Sequence, residues 1–228
     1  MSCKLFSSLI ALVFMLLLSG CTTPRIEYLK RDVALDCFNK RMLLINPVSV
    51  KKSNAKYASG IGKGFKVVLN KKFGGQVVYS GDIKELSGKM TYDAVMRDGV
   101  FNIEELSALG GQLKVDSVMV CELVDYKPYP PFRAVLSLAW FDVKSKNFIA
   151  RLYHSVDLEE IETRQRFGSF VGDGAARELY ELVFYSKAKY ETAMLQPEVF
   201  NSFAAAYCSE IMFDDILERR SWRMWSIF

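Results

Sequence analysis

The side chains that could do chemistry are few, and the single histidine is the first of them. His154 is followed by Ser155 and Asp157, which are the residue types of a nucleophilic triad. On one predicted strand, neighbouring side chains point to opposite faces, so His154 and Ser155 do not meet locally. We therefore expect His154 to be structural or solvent-facing, and one histidine excludes a multi-histidine metal site.

Four carboxylates follow within a short stretch, at Asp157, Glu159, Glu160 and Glu162. Such a cluster could bind a cation or act as an acid–base pair, which makes a hydrolase one hypothesis. The alternative is a solvated acidic loop, and we favour it. No catalytic residue, no metal ligand and no cofactor is therefore predicted.

The segment Gly60-Ile61-Gly62-Lys63-Gly64 invites comparison with a phosphate-binding loop. It lacks the required spacing of glycines, lysine and hydroxyl residue, and no strand directly precedes it. Its small residues instead favour the close approach of a helix to the sheet.

Cys21 stands at a distinctive position among the five cysteines. Lys4 forms a short basic segment, and residues 5–18 are apolar apart from two serines, with the length of a signal-peptide core. Leu18-Ser19-Gly20-Cys21 then resembles the lipobox of bacterial lipoproteins. The resemblance implies that residues 1–20 are a signal peptide, and that Cys21 carries a thioether-linked diacylglycerol and an N-acyl chain.

Thr22 follows the modified cysteine, where enterobacterial lipoproteins kept at the inner membrane carry Asp. The resemblance therefore implies a lipid anchor in the outer membrane, with the protein on the periplasmic face. Residues 21–39 are predicted to be a lipidated lead-in that reaches at most about 65 Å to the first strand. Of the remaining thiols, Cys121 and Cys208 are expected to be buried small hydrophobic groups.

Composition limits the class of protein. Of the 228 residues, 50% are hydrophobic, 13% are aromatic and 25% are charged, and the net charge is +4, which does not fit a disordered chain. Five cysteines are too few for a disulfide scaffold. There is only one long apolar run, so a polytopic membrane protein is excluded, and no dense block of Lys and Arg indicates nucleic-acid binding.

The periodicity of the chain predicts an α/β fold. Strands are predicted at residues 41–50, 76–80, 117–126, 133–143 and 148–158. Helices are predicted at residues 55–73, 102–113 and 162–189 and from Pro197 onwards, while residues 81–101 form a connection or a short hairpin. Helical links favour parallel pairing of the first three strands, and short links favour an antiparallel meander of the last three. The prediction is one domain over residues 40–220 with a mixed sheet flanked by helices.

This order of elements resembles a periplasmic fold shared by the TolB N-terminal domain, CsgG, LpoB and PelC. The resemblance covers residues 40–160 and a terminal helix. It is carried by Met42-Leu43-Leu44-Ile45-Asn46-Pro47, Gly74-Gly75-Gln76-Val77-Val78, residues 109–120 and the predicted hairpin at 140–148. It implies a protein that binds other envelope proteins or assembles into rings rather than an enzyme. The long tether of LpoB and the membrane-spanning hairpins of CsgG are not evident in the sequence.

Two aromatic segments are candidate contact surfaces. Tyr126, Tyr129 and Phe132 surround three prolines, which favours a stiff recognition loop, although the loop could instead pack on its own domain. Trp222 and Trp225 lie in a C-terminal segment, residues 221–228, that could contact a partner, the membrane interface or the core.

The leading hypothesis is thus a non-enzymatic scaffold or assembly factor of the bacterial envelope, anchored through Cys21, with a protein partner or a second copy of itself. A ring-forming accessory of secretion or polysaccharide export is the main alternative. An envelope hydrolase that uses the carboxylates of residues 157–162 is the weaker one.

Overall fold

The computed structural model describes residues 25–28, 40–87, 89–172 and 195–225. Its strands, in chain order, are β1 (Arg25–Tyr28), β2 (Met42–Leu44), β3 (Val77–Tyr79), β4 (Met96–Arg97), β5 (Val100–Phe101), β6 (Ser117–Lys127), β7 (Arg133–Asp142) and β8 (Phe148–Asp157). Its helices are α1 (Ala55–Lys72), α2 (Lys84–Ser87), α3 (Tyr92–Val95), α4 (Ile103–Gln112), α5 (Ile161–Gly172) and α6 (Pro197–Trp225).

Six of the strands form one mixed sheet in the order β1-β8-β7-β6-β2-β3. Strand β2 pairs in parallel with both β3 and β6, and β6, β7 and β8 form an antiparallel meander. The predicted mixed sheet is therefore confirmed, including the division between its parallel and antiparallel parts. Strands β4 and β5 form a separate antiparallel hairpin within the segment for which a hairpin was one alternative.

Strand β1 is the main departure from the predicted organisation. It pairs antiparallel with β8, from Arg25 opposite Tyr153 to Tyr28 opposite Ala150, and so forms one edge of the sheet. The expectation that the first strand begins only near residue 41 is thus wrong. Arg-Ile-Glu-Tyr is too short to show a period in the sequence, and its strand state depends on pairing with a distant partner.

Helices cover the two faces of the sheet unequally. On the inner face, α1 and α6 bury a continuous cluster that includes Phe65, Met119, Leu138, Leu152 and Phe200. On the outer face, α3, α4 and the β4–β5 hairpin cover only the part of the sheet around β2, the beginning of β6 and the end of β7. The outer side of β7 and β8 beyond that layer carries half-buried and exposed residues.

Helix α1 has the bounds that its periodicity predicts. Gly74 and Gly75 follow it with φ of +61° and +81°, the left-handed conformation that ends helices and that glycine adopts without strain. Helix α4 also begins as predicted, because the Asn102 side chain accepts a hydrogen bond from the Glu105 amide. The predicted helix at 162–189 is α5 up to Gly172, and its remainder lies outside the described residues.

Helix α6 begins at Pro197, as predicted, and its backbone continues through Trp225. Residues 221–225, the first part of the predicted C-terminal tail, therefore continue this helix. Within the described residues, no helix combines the length and the apolar character that a membrane span requires.

The three glycines of residues 60–64 lie inside α1 and permit close packing. An added Cβ at Gly60 would stand 2.7 Å from the Asn201 amide nitrogen, and one at Gly64 would stand 2.9 Å from the Ala205 Cβ. Only Gly62 faces the strand side, against Pro47. The small residues of α1 do permit close helix packing, as expected. However, Gly60 and Gly64 face α6, and only Gly62 faces the sheet side.

We expect Gly64→Ala to lower the free energy of unfolding by about 1–3 kcal/mol, because the new methyl group overpacks the contact between α1 and α6. Gly111→Ala is the matched control, since a Cβ at Gly111 meets nothing within 4 Å. It should leave stability unchanged or raise it by up to about 1 kcal/mol. Urea denaturation of both variants would test this, and equal stabilities would contradict it.

Candidate functional site

The proline-containing segment after β6 contributes one exposed aromatic side chain and not three. Tyr126 and Phe132 are buried, whereas Tyr129 is 73% exposed. The Tyr126 ring stacks on Tyr57 with centroids 4.4 Å apart. Its hydroxyl group and the Asn201 carboxamide oxygen are 2.8 Å apart, in a hydrogen bond that the hydroxyl donates. These contacts fix the loop to α1 and α6.

Phe132 follows the same pattern on the other side of the loop. Its ring stacks on Phe200 of α6 with centroids 5.3 Å apart, and its side chain is fully buried. The interpretation of Tyr126 and Phe132 as contact residues therefore needs correction, because both side chains are part of the core. Tyr129 alone keeps its proposed accessibility. Cys21 lies outside the described residues, as do the side chains of Trp222 and Trp225.

The histidine is part of the inner core. His154 is 4% exposed, and its ring meets Tyr207 edge-on with centroids 5.4 Å apart. Neither ring nitrogen has a hydrogen-bond partner among the described residues. Burial lowers the pKa of His154, so the ring is neutral near pH 7. Ser155 lies on the opposite face of β8, as the alternation of side chains predicts.

The acidic cluster is divided among separate local interactions. Asp157 accepts a hydrogen bond from the Glu159 amide at 2.8 Å, and the Glu159 carboxylate pairs with Lys127 at 2.9 Å. This hydrogen bond from Lys127 lowers the pKa of Glu159. Glu160 accepts a hydrogen bond from the Thr163 hydroxyl group. Among the described residues, no three His, Cys, Asp or Glu side chains converge as a metal site.

A second charged group stabilises the same end of the sheet. Asp125 accepts hydrogen bonds from Lys51 at 2.9 Å and from Arg133 at 2.7 Å. These bonds lower the pKa of Asp125 to about 2, so its carboxylate is ionised at any pH near neutrality.

The two described cysteines are unbonded and buried, as expected for small hydrophobic groups. Cys121 lies in β6 and Cys208 in α6, and burial raises the pKa of both thiols. Neither is therefore a thiolate nucleophile near neutral pH.

A groove of about 400 Å³ lies on the outer face, between the β4–β5 hairpin and strands β6–β8. Its walls include the apolar side chains of Met96, Val100 and Phe101 from the hairpin. Val100 is 64% exposed.

The sheet side of this groove is polar and aromatic. Glu122, Ser137 and Tyr153 stand opposite one another across β6, β7 and β8, and Arg151 also lines the groove. The Tyr92 hydroxyl group donates a hydrogen bond of 3.2 Å to Glu122. Arg151 lies over the Phe148 ring at 3.4 Å, a cation–π contact that holds its guanidinium group at the surface.

The groove was not predicted from the sequence. One usable signal was the alternation of Arg151, Tyr153 and Ser155 with buried residues in β8, which indicates a sheet face without a helical cover. The other side of the groove comes from strands of two residues, which no periodicity reveals.

Comparison with known proteins gives distant structural similarities. No family model matches the chain, and neither does any curated protein. The PelC dodecamer from Paraburkholderia phytofirmans is 8% identical with a TM-score of 0.36, over 59% of this chain and 80% of that one. Lipoprotein GNA1162 from Neisseria meningitidis is 10% identical with a TM-score of 0.38, over 59% of this chain and 97% of that one. These overlaps assign the chain to no family.

The loop after β6 generates a stability prediction. We expect Phe132→Ala to cost about 3–5 kcal/mol of unfolding free energy, because it removes a fully buried ring from the stack on Phe200. Tyr129→Ala should change stability by no more than about 0.5 kcal/mol, because the side chain is exposed. Thermal and urea unfolding of both variants measure the difference. Similar losses for the two would contradict the assignment of Phe132 to the core.

Proposed function

We propose that the protein is a lipid-anchored scaffold or assembly factor of the bacterial envelope, which holds another envelope protein near the membrane. The anchor is Cys21, inferred from Leu18-Ser19-Gly20-Cys21 and the apolar run before it. Thr22 favours the periplasmic face of the outer membrane. The observation that carries the binding role is the uncovered outer face of β6–β8 with its groove.

The state of the reactive side chains supports binding over catalysis. The imidazole of His154 is in the core, and the Cys121 and Cys208 thiols are buried. The carboxylates of Asp125 and Glu159 are each held by a basic partner. Burial of the imidazole and thiols and local pairing of the carboxylates thus leave these groups without the arrangement that a hydrolase would need.

The chemistry of the groove favours a polypeptide segment as its occupant. Apolar side chains from the hairpin face a carboxylate at Glu122 and a guanidinium group at Arg151, so the two charges balance. A small anion or cation would leave one of them uncompensated. A peptide segment can instead offer apolar side chains together with backbone donors and acceptors.

Lipidation gives the first prediction for this function. We expect Cys21→Ser to abolish acylation, because only the thiol can form the thioether. The variant should appear either as an unlipidated form released from the membrane fraction or as an uncleaved precursor. Metabolic labelling with an alkyne palmitate analogue and cell fractionation measure both effects, with Cys37→Ser as the matched control. Equal labelling of wild type and Cys21→Ser would contradict the anchor.

The groove gives the second prediction. Tyr153→Asp and Val100→Asp place new charges on exposed positions of the groove, so they should weaken partner binding at little cost in stability. The measurement is chemical cross-linking in intact cells, followed by affinity purification and mass spectrometry. A discrete cross-linked product should be lost in both variants and kept in Lys144→Asp, a control in the β7–β8 turn.

Two outcomes would redirect this proposal. If the product persists at full yield in both groove variants, the outer face is not the binding surface. If its mass is a multiple of the chain mass, the partner is a second copy, and the ring-forming alternative replaces the adaptor role.

A further inference from the structure

One end of the domain carries most of the exposed large hydrophobic side chains. The described residues include six such side chains, and four of them lie at this end: Val50, Tyr129, Ile161 and Leu195. Their relative exposures are 62%, 73%, 73% and 66%, respectively. We call these four residues the apolar end.

The directions of the strands bring these residues together. Strands β2, β6 and β8 run in the same direction, because β2 is parallel to β6 and two antiparallel steps lead from β6 to β8. Val50 follows β2, Tyr129 lies in the loop after β6, and Ile161 follows β8. Leu195 precedes α6, which starts at the same end because Asn201 bonds to Tyr126 near the end of β6.

The opposite end of the sheet has a different surface. There the exposed residues of the helix ends and of the β7–β8 turn include Lys71, Lys114, Lys144, Ser145 and Lys146. None of the exposed large hydrophobic side chains among the described residues lies at that end. The two ends of the domain are thus chemically distinct.

Strand β1 connects the apolar end to the anchor. Arg25 lies opposite Tyr153, and β8 continues for four residues beyond Tyr153, to Asp157, which is about 13 Å. Because β1 is antiparallel to β8, the chain before Arg25 leads towards the apolar end. Cys21 is four residues before Arg25 and reaches at most about 14 Å from it.

These two lengths are nearly equal, so four extended residues before Arg25 would reach no further than about the end of β8. When Cys21 extends along the direction of β1, it reaches about the level at which β8 ends, and it cannot hold the domain far above a bilayer. The pairing of β1 thus shortens the reach expected from the sequence, about 65 Å, to about one fifth of that length.

We propose that the apolar end rests on the membrane surface that holds the lipids of Cys21, with the ring of Tyr129 at the level of the headgroups. This rests on the proposed lipidation. Tyrosine suits such a position, because its ring is apolar and its hydroxyl group stays hydrated. Two of the lysines at this end are neutralised by ion pairs, Lys51 with Asp125 and Lys127 with Glu159.

The test uses the full lipidated chain with a benzophenone amino acid in place of Tyr129 or of Ile161. Each protein is reconstituted into phosphatidylethanolamine–phosphatidylglycerol vesicles that contain radiolabelled phosphatidylethanolamine, and is then irradiated. Lys144 at the opposite end and Val100 on the outer face are the matched control positions. We expect several-fold more lipid cross-linking from positions 129 and 161 than from positions 144 and 100.

Two results would overturn this inference. Equal labelling at positions 129 and 144 would show that the apolar end does not face the lipid. Labelling confined to position 100 would show that the domain lies on its outer face. Because all four positions are exposed, unfolding temperatures close to that of the wild type should accompany each substitution.

Mass spectrometry of the N-terminal peptide separates this inference from the proposed function. If Cys21 is unmodified, the proposed anchoring fails, and the inference fails with it. If Cys21 is acylated and positions 129 and 161 give no lipid product, only the orientation is wrong.

Discussion

The architecture depends on strand β6 being buried on both faces in its first half and on one face in its second. From Ser117 to Cys121 every residue is buried, because α1 and α6 cover the inner face and α4 with the β4–β5 hairpin covers the outer one. At Glu122 the outer cover ends. Its cross-strand neighbours Ser137 and Tyr153 are the corresponding half-buried and exposed positions of β7 and β8. The groove lies at this boundary, so its position follows from the length of the outer layer.

This constraint explains which parts of the fold were predictable. Elements with a strong hydrophobic period, such as α1, β6 and the β7–β8 meander, have nearly the predicted bounds. Burial of one or both of their faces requires apolar residues at regular positions, and this spacing is visible in the sequence. Strands β1, β4 and β5 were missed or left open, since two to four residues contain no period and their pairing is fixed by tertiary contacts. It was also not predictable that Tyr126 is buried and Tyr129 exposed. Aromatic side chains near prolines suit a core and a binding loop equally well, and only the position of α6 decides between them.

The interactions at the apolar end give that surface a defined shape. Tyr126 and Phe132 fix both ends of the segment that bears Tyr129, through contacts with α1 and α6. Asp125 joins Lys51 to Arg133 and so connects the segment after β2 to the ends of β6 and β7 that flank the loop. The backbone that carries the exposed Tyr129 is therefore fixed at both ends, which reduces the conformational entropy that this segment would lose in a contact. Tyr126 and Phe132, which were predicted from the sequence to be contact residues, thus hold the segment that bears the exposed Tyr129.

The position of β1 connects the proposed anchor to the groove. Arg25 lies in the same cross-strand row as Glu122, Ser137 and Tyr153, so β1 and the sheet side of the groove share one level of the sheet. With the apolar end on a membrane, that row stands at least about 13 Å above it, and the groove opens sideways rather than towards the lipid. An occupant of the groove would then approach from the side, parallel to the membrane surface. Any force on the proposed anchor would pass through the pairing of β1 with β8, where Tyr153 is both the partner of Arg25 and a wall of the groove. A chain shortened to begin at residue 40 would lack this edge strand, so binding measured on such a fragment would describe a differently supported groove.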